Sequence, residues 1–141
     1  MSMDKIRILV VDDEPVNIKL VQAHLSGLGY EVIIARDGEE ALEKISSNKI
    51  DLILLDVMLP GINGFDVCIQ IREKYKQTTP IILLTTLSDV RTKADAFGWG
   101  ADDFLTKPFN KDELLTRIRL HLKIKIMVDE IRELKTMLEE K

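Results

Sequence analysis

The chain is poor in cysteine and histidine and has no long apolar run. Its single cysteine, Cys68, has no partner for an internal disulfide, and its apolar neighbours favour a small core residue over a reactive thiol. The two histidines, His24 and His121, are too few and too far apart for a metal site, and we interpret both as helix-surface residues. No apolar run approaches the length of about 20 residues that crosses a bilayer, and the N-terminus lacks the pattern of a signal peptide. These absences predict a cytoplasmic protein without a membrane partner.

Two further absences narrow the function. The net charge of −4 and the lack of a basic arm argue against direct binding of nucleic acid. Neither of the glycine-rich loops that bind nucleotides, Gly-x-x-x-x-Gly-Lys-Ser/Thr and Gly-x-Gly-x-x-Gly, occurs in the sequence. With 141 residues, of which 45% are hydrophobic and 31% charged, the chain has the composition of one globular domain with a modest appendage.

Short apolar runs alternate with helical patterns along the chain. The predicted strands cover residues 6–11, 31–35, 51–56, 80–86 and 103–107, and the predicted helices cover residues 15–28, 37–45, 65–75, 90–97 and 111 onward. The third strand is apolar without interruption from Leu52 to Leu55, which indicates that helices cover both faces of the sheet. Such alternation requires crossover connections and predicts a doubly wound parallel sheet. The predicted fold class is α/β, flavodoxin-like and five-stranded, with strand order 2-1-3-4-5 and an extended C-terminal helix.

Polar side chains stand where the predicted strands end. Asp12 and Asp13 follow the first strand, and Asp56 ends the third. Thr85 lies at the end of the fourth strand, and Lys107 closes the fifth. The carboxyl ends of parallel strands share one edge, and a crevice forms there at the point where the helix layer changes sides. We therefore expect these five side chains to converge on one site.

Such a cluster suits phosphoryl transfer. Neighbouring carboxylates repel one another, and a hard cation such as Mg²⁺ relieves the repulsion. A lysine and a hydroxyl group suit phosphoryl oxygens, and a carboxylate is a suitable nucleophile. Taken singly, Asp56 also fits a solvated acid that caps the next turn, and Thr85 fits an ordinary strand residue. Lys107 also fits a surface lysine held by Asp102 or Asp103, but the joint occurrence at successive strand ends favours the site.

Four segments carry a resemblance to a known family. They are Val10-Val-Asp-Asp-Glu-Pro15, Leu54-Leu-Asp-Val-Met-Leu-Pro-Gly-Ile-Asn-Gly64, Pro80-Ile-Ile-Leu-Leu-Thr85 and Gly100-Ala-Asp-Asp-Phe-Leu-Thr-Lys-Pro-Phe109. Residues 5–122 resemble the receiver domain of a two-component response regulator, in the CheY-like superfamily. Residues 123–141 extend the last helix as a candidate coiled-coil linker.

The resemblance implies a phosphorylation site. Asp56 then accepts a phosphoryl group from a phosphohistidine on a sensor histidine kinase. Asp13, Asp56 and the backbone carbonyl of Met58 hold Mg²⁺, and Asp12 acts mainly through a metal-bound water. The cofactor that the resemblance implies is therefore Mg²⁺, and the implied partner is the kinase.

The resemblance also implies a conformational switch. Thr85 and Lys107 contact the phosphoryl group, and the switch aromatic Phe104 packs inward when Thr85 moves toward it. The peptide bond between Lys107 and Pro108 is expected to be cis. The inward movement of Phe104 is then transmitted to the face formed by the helix over 90–97, the fifth strand and the last helix.

Three residues depart from the family pattern. Thr86 stands where a smaller residue is common, which narrows access to the phosphoryl group and changes its lifetime. Phe104 lacks the hydroxyl group of the tyrosine that many relatives carry. Trp99 stands where alanine is usual, and we interpret it as a half-buried surface ring, with an exposed contact residue as the alternative.

The last helix continues past the receiver boundary with a heptad repeat. Its apolar positions recur at spacings of 4, 3, 4, 3 and 4 residues, at Leu120, Ile124, Met127, Ile131, Leu134 and Leu138. This seam predicts a parallel two-stranded coiled coil and a homodimer, with Glu130 of one chain near Lys135 of the other. The open alternatives are that the stripe folds back on its own domain or docks a partner protein.

The segment over residues 117–132 resembles the helices that join receivers to nucleotide-cyclase-type output domains. The chain is then either a piece of a longer regulator, with an output domain attached through this helix, or a stand-alone receiver.

Two other functions fit parts of the sequence. Haloacid-dehalogenase-like phosphatases also place a nucleophilic aspartate after an apolar strand, but they require a second aspartate two positions on, where this chain has Met58. A phosphorylation-blind dimerisation or interaction module is the remaining alternative, although such a module has no need for an acidic pocket with Thr85 and Lys107. We therefore expect a signalling switch rather than an enzyme.

Overall fold

The computed structural model describes residues 5–74, 78–86, 98 and 100–140. Five parallel strands form one sheet in the order β2-β1-β3-β4-β5, which confirms the predicted fold class and strand order. The strands are β1 (Arg7–Val11), β2 (Glu31–Ala35), β3 (Leu52–Asp56), β4 (Ile81–Thr85) and β5 (Asp103–Thr106). The helices are α1 (Pro15–Leu25), α2 (Gly38–Ser47), α3 (Gly64–Glu73) and α4 (Lys111–Glu139). The helix predicted over 90–97 and the residue Trp99 lie outside the described residues.

Short polar residues set the starts of three helices. Asp37, Asn63 and Asn110 each accept a hydrogen bond from the backbone N–H three residues on, at 2.8 to 3.0 Å. Such bonds satisfy donors that the first turn of a helix leaves without a partner. The first helix begins instead at Pro15, where the missing N–H has no intrahelical partner to lose. The boundaries of the helices therefore follow from local chemistry.

Side chains of the central strands alternate between two hydrophobic layers. Leu9 and Ile53 face the layer that α2 and α3 cover, whereas Val10 and Leu54 face the layer that α1 and α4 cover. Every residue of β3 and β4 is buried, as expected for strands with helices on both faces. Cys68 on α3 is fully buried, and burial raises the pKa of its thiol to about 11, which confirms the interpretation as a core residue.

The first helix buries fewer of its apolar side chains than its apolar composition suggests. Ile18, Val21 and Leu25 are buried against the sheet, at the spacing of one helix face. Val16 and Leu20 lie off this stripe and are 74% and 46% exposed. Apolar side chains therefore face outward on α1, near the edge of the sheet where the polar strand ends lie.

The last helix leaves the domain near Leu122. Leu114, Ile118 and Leu122 are buried against the sheet, whereas the six seam residues are 45% to 71% exposed. In this structure the seam therefore does not fold back on its own domain. Among the described residues, no helix combines the length and the apolar character needed to cross a membrane.

Candidate functional site

The register of the sheet brings the polar strand ends together. The pairing of β1 with β3 places Asp12 beside Asp56. On the other side of the site, the backbone N–H of Lys107 donates to the carbonyl oxygen of Thr85 at 2.7 Å. One carboxylate oxygen from each of Asp12, Asp13 and Asp56 lies within 4.8 Å of the others. The structure thus groups the three aspartates, with Lys107 and Thr85 on the neighbouring strands.

Asp56 is a buried and hydrogen-bonded carboxylate. Its Oδ1 accepts a hydrogen bond from the backbone N–H of Met58 at 2.9 Å, and its Oδ2 contacts Lys107 Nζ at 3.0 Å. Because the residue is only 6% exposed, the alternative of a solvated acid is wrong, although Asp56 does cap the turn that follows it. Burial raises the pKa of Asp56 above its ordinary value, and the hydrogen bonds from Lys107 and Met58 only partly oppose this effect.

Lys107 points into the acidic cluster. Its ammonium group lies 3.0 Å from Asp56 Oδ2 and 3.5 Å from Asp12 Oδ2. Burial alone would lower the pKa of Lys107, but its hydrogen bond and attraction to Asp56, together with Asp12, outweigh burial and raise it. The lysine is therefore a fixed positive charge at neutral pH. The alternative in which Asp102 or Asp103 holds this lysine is wrong, because both carboxylates bind other residues.

Asp103 begins β5 and joins this strand to α4. Both of its carboxylate oxygens lie 2.9 Å from Arg117 Nη1, and Oδ2 also lies 2.9 Å from His121 Nε2. Burial opposes ionisation of Asp103, but hydrogen bonds from His121, the Phe104 N–H and Arg117 outweigh it and hold the pKa below its ordinary value. The His121 side chain is only 11% exposed, so its interpretation as a helix-surface residue is wrong. The four-residue spacing of Arg117 and His121 places them on one helix face but does not identify Asp103 as their partner.

Arg72 ties α3 to the segments before β4 and β5. Its Nε donates to the carbonyl oxygen of Gly100 at 2.9 Å, and its Nη1 donates to that of Thr79 at 2.7 Å. Its Nη2 lies 2.7 Å from Asp102 Oδ2, which also accepts the backbone N–H of Ile81 at 2.8 Å. This cluster was not predictable from the sequence, because one arginine on an amphipathic helix is ordinary and its partners lie on distant segments.

The residues expected to form the switch lie on β4 and β5. Thr85 is buried, and Phe104 is partly buried against the hydrophobic layer on the α2 and α3 side. The peptide bond between Lys107 and Pro108 is cis, as the resemblance implies. Thr86 is exposed next to Thr85 and borders the site.

An apolar cavity opens beside the acidic cluster. It has a volume of about 320 Å³ and lies between α1 and the loop after β5. Leu20 and Phe109 line its apolar part, and Asp12 and Lys107 line the part nearest the cluster. The cavity therefore joins the exposed apolar side of α1 to the polar site.

Comparison with known proteins assigns the family. The family described as response regulator receiver domain matches residues 8–119. The chain belongs to this family. This receiver domain is 48% identical over 117 residues to the response regulator ArlR of Staphylococcus saprophyticus, covering 83% of this chain and 52% of that protein. It is 46% identical over 117 residues to the alkaline phosphatase synthesis transcriptional regulatory protein PhoP of Bacillus subtilis, covering 83% of this chain and 48% of that protein.

The chain therefore spans about half the length of these curated relatives. Among solved structures, the receiver domain of the Francisella response regulator 1452 matches with a TM-score of 0.80 and 34% identity, covering 84% of this chain and 98% of that chain. The chemotaxis protein CheY4 of Vibrio cholerae matches with a TM-score of 0.78 and 34% identity, covering 84% of this chain and 99% of that chain.

The three aspartates fit the Mg²⁺ that receiver domains bind at an acidic site. Their carboxylates are hard oxygen ligands, and one oxygen of each already lies within 4.8 Å of the others. In an octahedral shell with ligands at about 2.1 Å, neighbouring oxygens lie about 3 Å apart and opposite oxygens about 4 Å apart, so small side-chain adjustments suffice. Asp13 is exposed, which leaves the site open to solvent on one side.

Proposed function

We propose that this receiver domain is a phosphorylation-dependent signalling switch in which Asp56 accepts a phosphoryl group from a sensor histidine kinase. The observation that carries the proposal is the 3.0 Å contact of Asp56 Oδ2 with Lys107 Nζ inside a cluster of three aspartates. A buried carboxylate beside a lysine and other acids has the charge pattern of a phosphoryl-transfer site. Membership of the receiver family supports the same reaction. On this proposal the domain is a substrate of the kinase and a switch, not an enzyme with its own output.

In the proposed transfer, one carboxylate oxygen of Asp56 attacks the phosphorus atom. The bond between phosphorus and the phosphohistidine nitrogen breaks as the acyl phosphate forms. Lys107 favours the ionised carboxylate that this attack requires, because its ammonium group contacts Oδ2. After transfer, the same ammonium group contacts one negatively charged phosphoryl oxygen, and the hydroxyl group of Thr85 donates a hydrogen bond to another.

Asp13, Asp56 and the backbone carbonyl of Met58 would hold Mg²⁺, with Asp12 acting through a bound water. The chemistry that the bound ion supplies is neutralisation of negative charge on the phosphoryl oxygens. Asp12 and Asp56 also keep Lys107 charged and directed into the site. The neighbouring position of the three carboxylates supports this assignment.

The kinase is proposed to dock on the side where α1 meets the loop after β5. Val16 and Leu20 expose apolar surface there, and Leu20 and Phe109 line the cavity of about 320 Å³. A partner that covers this surface excludes water from the path to Asp56, and contact with apolar side chains provides binding energy.

Phosphorylation is proposed to act through Thr85 and Phe104. A hydroxyl group that moves toward the phosphoryl group leaves space behind it, and the ring of Phe104 fills that space. The change then reaches the face formed by the helix predicted over 90–97, β5 and α4. The bias between the two states comes from contacts that the phosphoryl group makes in only one of them.

The output of the switch is proposed to be homodimerisation through the seam on α4. Its six residues are 45% to 71% exposed in the single chain, so pairing two copies would bury a continuous apolar stripe. A parallel arrangement places Glu130 of one chain near Lys135 of the other. The seam covers fewer than three heptads, so the coil alone is marginal, and receiver contacts that form on phosphorylation would add to it. An output domain or a partner protein attached through this helix would sense the pairing.

The test combines sedimentation velocity and tryptophan fluorescence on one sample, first with Mg²⁺ and then with Mg²⁺ and beryllofluoride, a mimic of the phosphoryl group. We expect the wild type to change its fluorescence and to approach the mass of a dimer only with beryllofluoride. Asp56→Asn is expected to do neither. Ile131→Glu, in the seam, is expected to change fluorescence but to stay monomeric, whereas Thr136→Glu, on the outer face of the same helix, should behave as wild type.

The competing function is a dimerisation module that ignores phosphorylation. It is the better account if wild type and Asp56→Asn dimerise equally with and without beryllofluoride. If the wild type accepts a phosphoryl group but remains monomeric at high concentration, the chemistry of Asp56 stands and the coupling to dimerisation is wrong.

A further inference from the structure

A second cavity, which is polar, lies at the opposite end of the sheet from the acidic site. It has a volume of about 260 Å³ and is enclosed by the end of α2, the segments before β3 and β4, and the part of α4 beyond the receiver boundary. Its polar lining comes from Asn48, Lys49, Thr78, Thr79 and Lys125. The cavity thus lies between the receiver domain and the helix that extends from it.

Positive charge dominates this cavity. None of the ion pairs among the described residues includes Lys49. The side chain of Lys125 is only 19% exposed, which is low for a lysine. Its Nζ forms an ion pair with Asp129 Oδ2 at 2.9 Å. About two turns along α4 from Lys125, Arg132 Nη1 donates to Thr78 Oγ1 at 3.4 Å. Lys49 and Lys125 line the cavity, and Arg132 and Asp129 lie beside it on α4, so these four groups together carry a local charge of about +2 in a protein whose net charge is −4.

Two of the three uncharged polar side chains of the cavity can donate a hydrogen bond into it, whereas the hydroxyl group of Thr79 already donates to the carbonyl oxygen of Ile50 at 3.3 Å. The side-chain amide of Asn48 donates to the carbonyl oxygen of Lys44 at 3.0 Å and has a second N–H. The hydroxyl group of Thr78 accepts from Arg132 and retains its own hydrogen as a donor. The nearest acid along the chain, Asp51, turns its carboxylate to the backbone N–H of Arg7 at 2.8 Å and does not line the cavity.

We propose that this cavity binds a small dianion, such as a phosphate monoester or a dicarboxylate, and that the bound anion holds α4 against the receiver domain. The local charge matches a dianion, and the donors match its oxygen atoms. The volume corresponds to roughly nine water molecules, which suffices for a phosphate group with a few carbon atoms. Lys49 belongs to the receiver, whereas Lys125 and Arg132 belong to the extended helix, so one anion bridges the two. The site does not depend on phosphorylation of Asp56.

The test is an NMR titration of the full chain without Mg²⁺ at constant ionic strength, first with inorganic phosphate and then with glycerol 3-phosphate and with succinate. We expect saturable shifts of the backbone amides at 48–50, 78–79 and 125–132, with a dissociation constant of about 1 mM for the best ligand. Hydrogen exchange over 123–135 should slow on binding. Lys49→Gln and Lys125→Gln should each weaken binding by about tenfold, and Lys135→Gln, on the exposed part of the same helix, should leave it unchanged.

The three ligands identify the source of the dianion. Tighter binding of glycerol 3-phosphate indicates an organic phosphate, equal binding of inorganic phosphate indicates the free ion, and tighter binding of succinate indicates a dicarboxylate. The proposal is overturned if no saturable shifts appear up to about 20 mM ligand, or if Lys135→Gln weakens binding as much as Lys49→Gln, which would reveal a general effect of charge. Binding that leaves exchange over 123–135 unchanged would overturn the bridging role of the anion.

Discussion

Gly64 packs against the backbone at Asp56. Substitution of Gly64 therefore tests how strongly this packing fixes the position of Asp56. It is the first residue of α3, and its N–H donates to the carbonyl oxygen of Val57 at 3.0 Å. A Cβ atom added at Gly64 would lie 2.7 Å from the Cα atom of Val57 and still closer to the carbonyl oxygen of Asp56. Both obstacles are backbone atoms and cannot rotate away. Gly64→Ala must therefore displace α3 or the turn after Asp56.

The expected cost follows from these contacts. An extra carbon atom forced into a packed region costs about 1 to 3 kcal/mol, and contact with backbone on two sides places this case near the upper end. The better helix propensity of alanine returns at most about 1 kcal/mol, and less at the first helical position. We expect a loss of about 2 kcal/mol in the free energy of unfolding, or about 8 °C in melting temperature for a domain of this size.

The assay is urea unfolding of Gly64→Ala, with Gly98→Ala as the control. Among the residues that the structure describes, none has an atom within 4 Å of a Cβ atom added at Gly98, so this variant should lie within about 0.5 kcal/mol of the wild type. The rate of phosphorylation by phosphoramidate, followed by intact-mass analysis, should fall at least tenfold in Gly64→Ala, since about 1 Å of misplacement costs roughly that much or more. If Gly64→Ala has both the stability and the phosphorylation rate of the wild type, the close packing of Gly64 does not constrain the site.

Three further predictions concern other parts of the structure. Arg72→Met removes the contacts of the guanidinium group with Thr79, Gly100 and Asp102 and should lower the free energy of unfolding by about 3 kcal/mol in urea. The exposed Arg132→Met should cost less than about 0.5 kcal/mol, and equal costs would contradict the assignment. Because the pKa of Asp103 is lowered in the fold, its contribution to stability is complete above the pKa of an unfolded aspartate, about 3.9, and is lost as the pH falls through the native value. The difference in melting temperature between wild type and Asp103→Asn should thus stay constant from about pH 7 to about pH 4 and shrink from about pH 4 to about pH 2, whereas an undiminished difference at about pH 2 would show that the charge is not responsible. Mg²⁺ should raise the melting temperature of the wild type and of Asp129→Asn but not of Asp13→Asn; an equal rise in all three proteins would place the ion elsewhere.

The fold and the centre of the site were predictable because they follow from local or repeating features. The uninterrupted apolar run from Leu52 to Leu55 indicated a strand covered on both faces, and the structure buries all of it. The grouping of Asp12 and Asp56 and the approach of Lys107 follow from one geometric rule, which is that the carboxyl ends of parallel strands share an edge.

The remaining contacts were not predictable because they depend on the direction of single side chains from distant segments. Arg72 reaches partners 7, 28 and 30 positions along the chain, and periodicity says nothing about which carbonyl oxygens surround it. His121 lies on the flank of α4 that faces Asp103, 18 residues away, and the heptad pattern describes only the exposed seam. On α1, the apolar composition did not reveal that Val16 and Leu20 face outward.

Phosphorylation of Asp56 is tested by locating the phosphoryl group on the chain. The protein is incubated with Mg²⁺ and phosphoramidate, the acyl phosphate is reduced with borohydride, and the modified residue is identified by peptide mass spectrometry. We predict one phosphoryl group per wild-type chain, on Asp56. The Asp56→Asn variant should carry none, and Lys107→Met should be phosphorylated more slowly than the wild type. A folded wild type that accepts no phosphoryl group, or an Asp56→Asn variant that is modified equally well, would contradict this prediction.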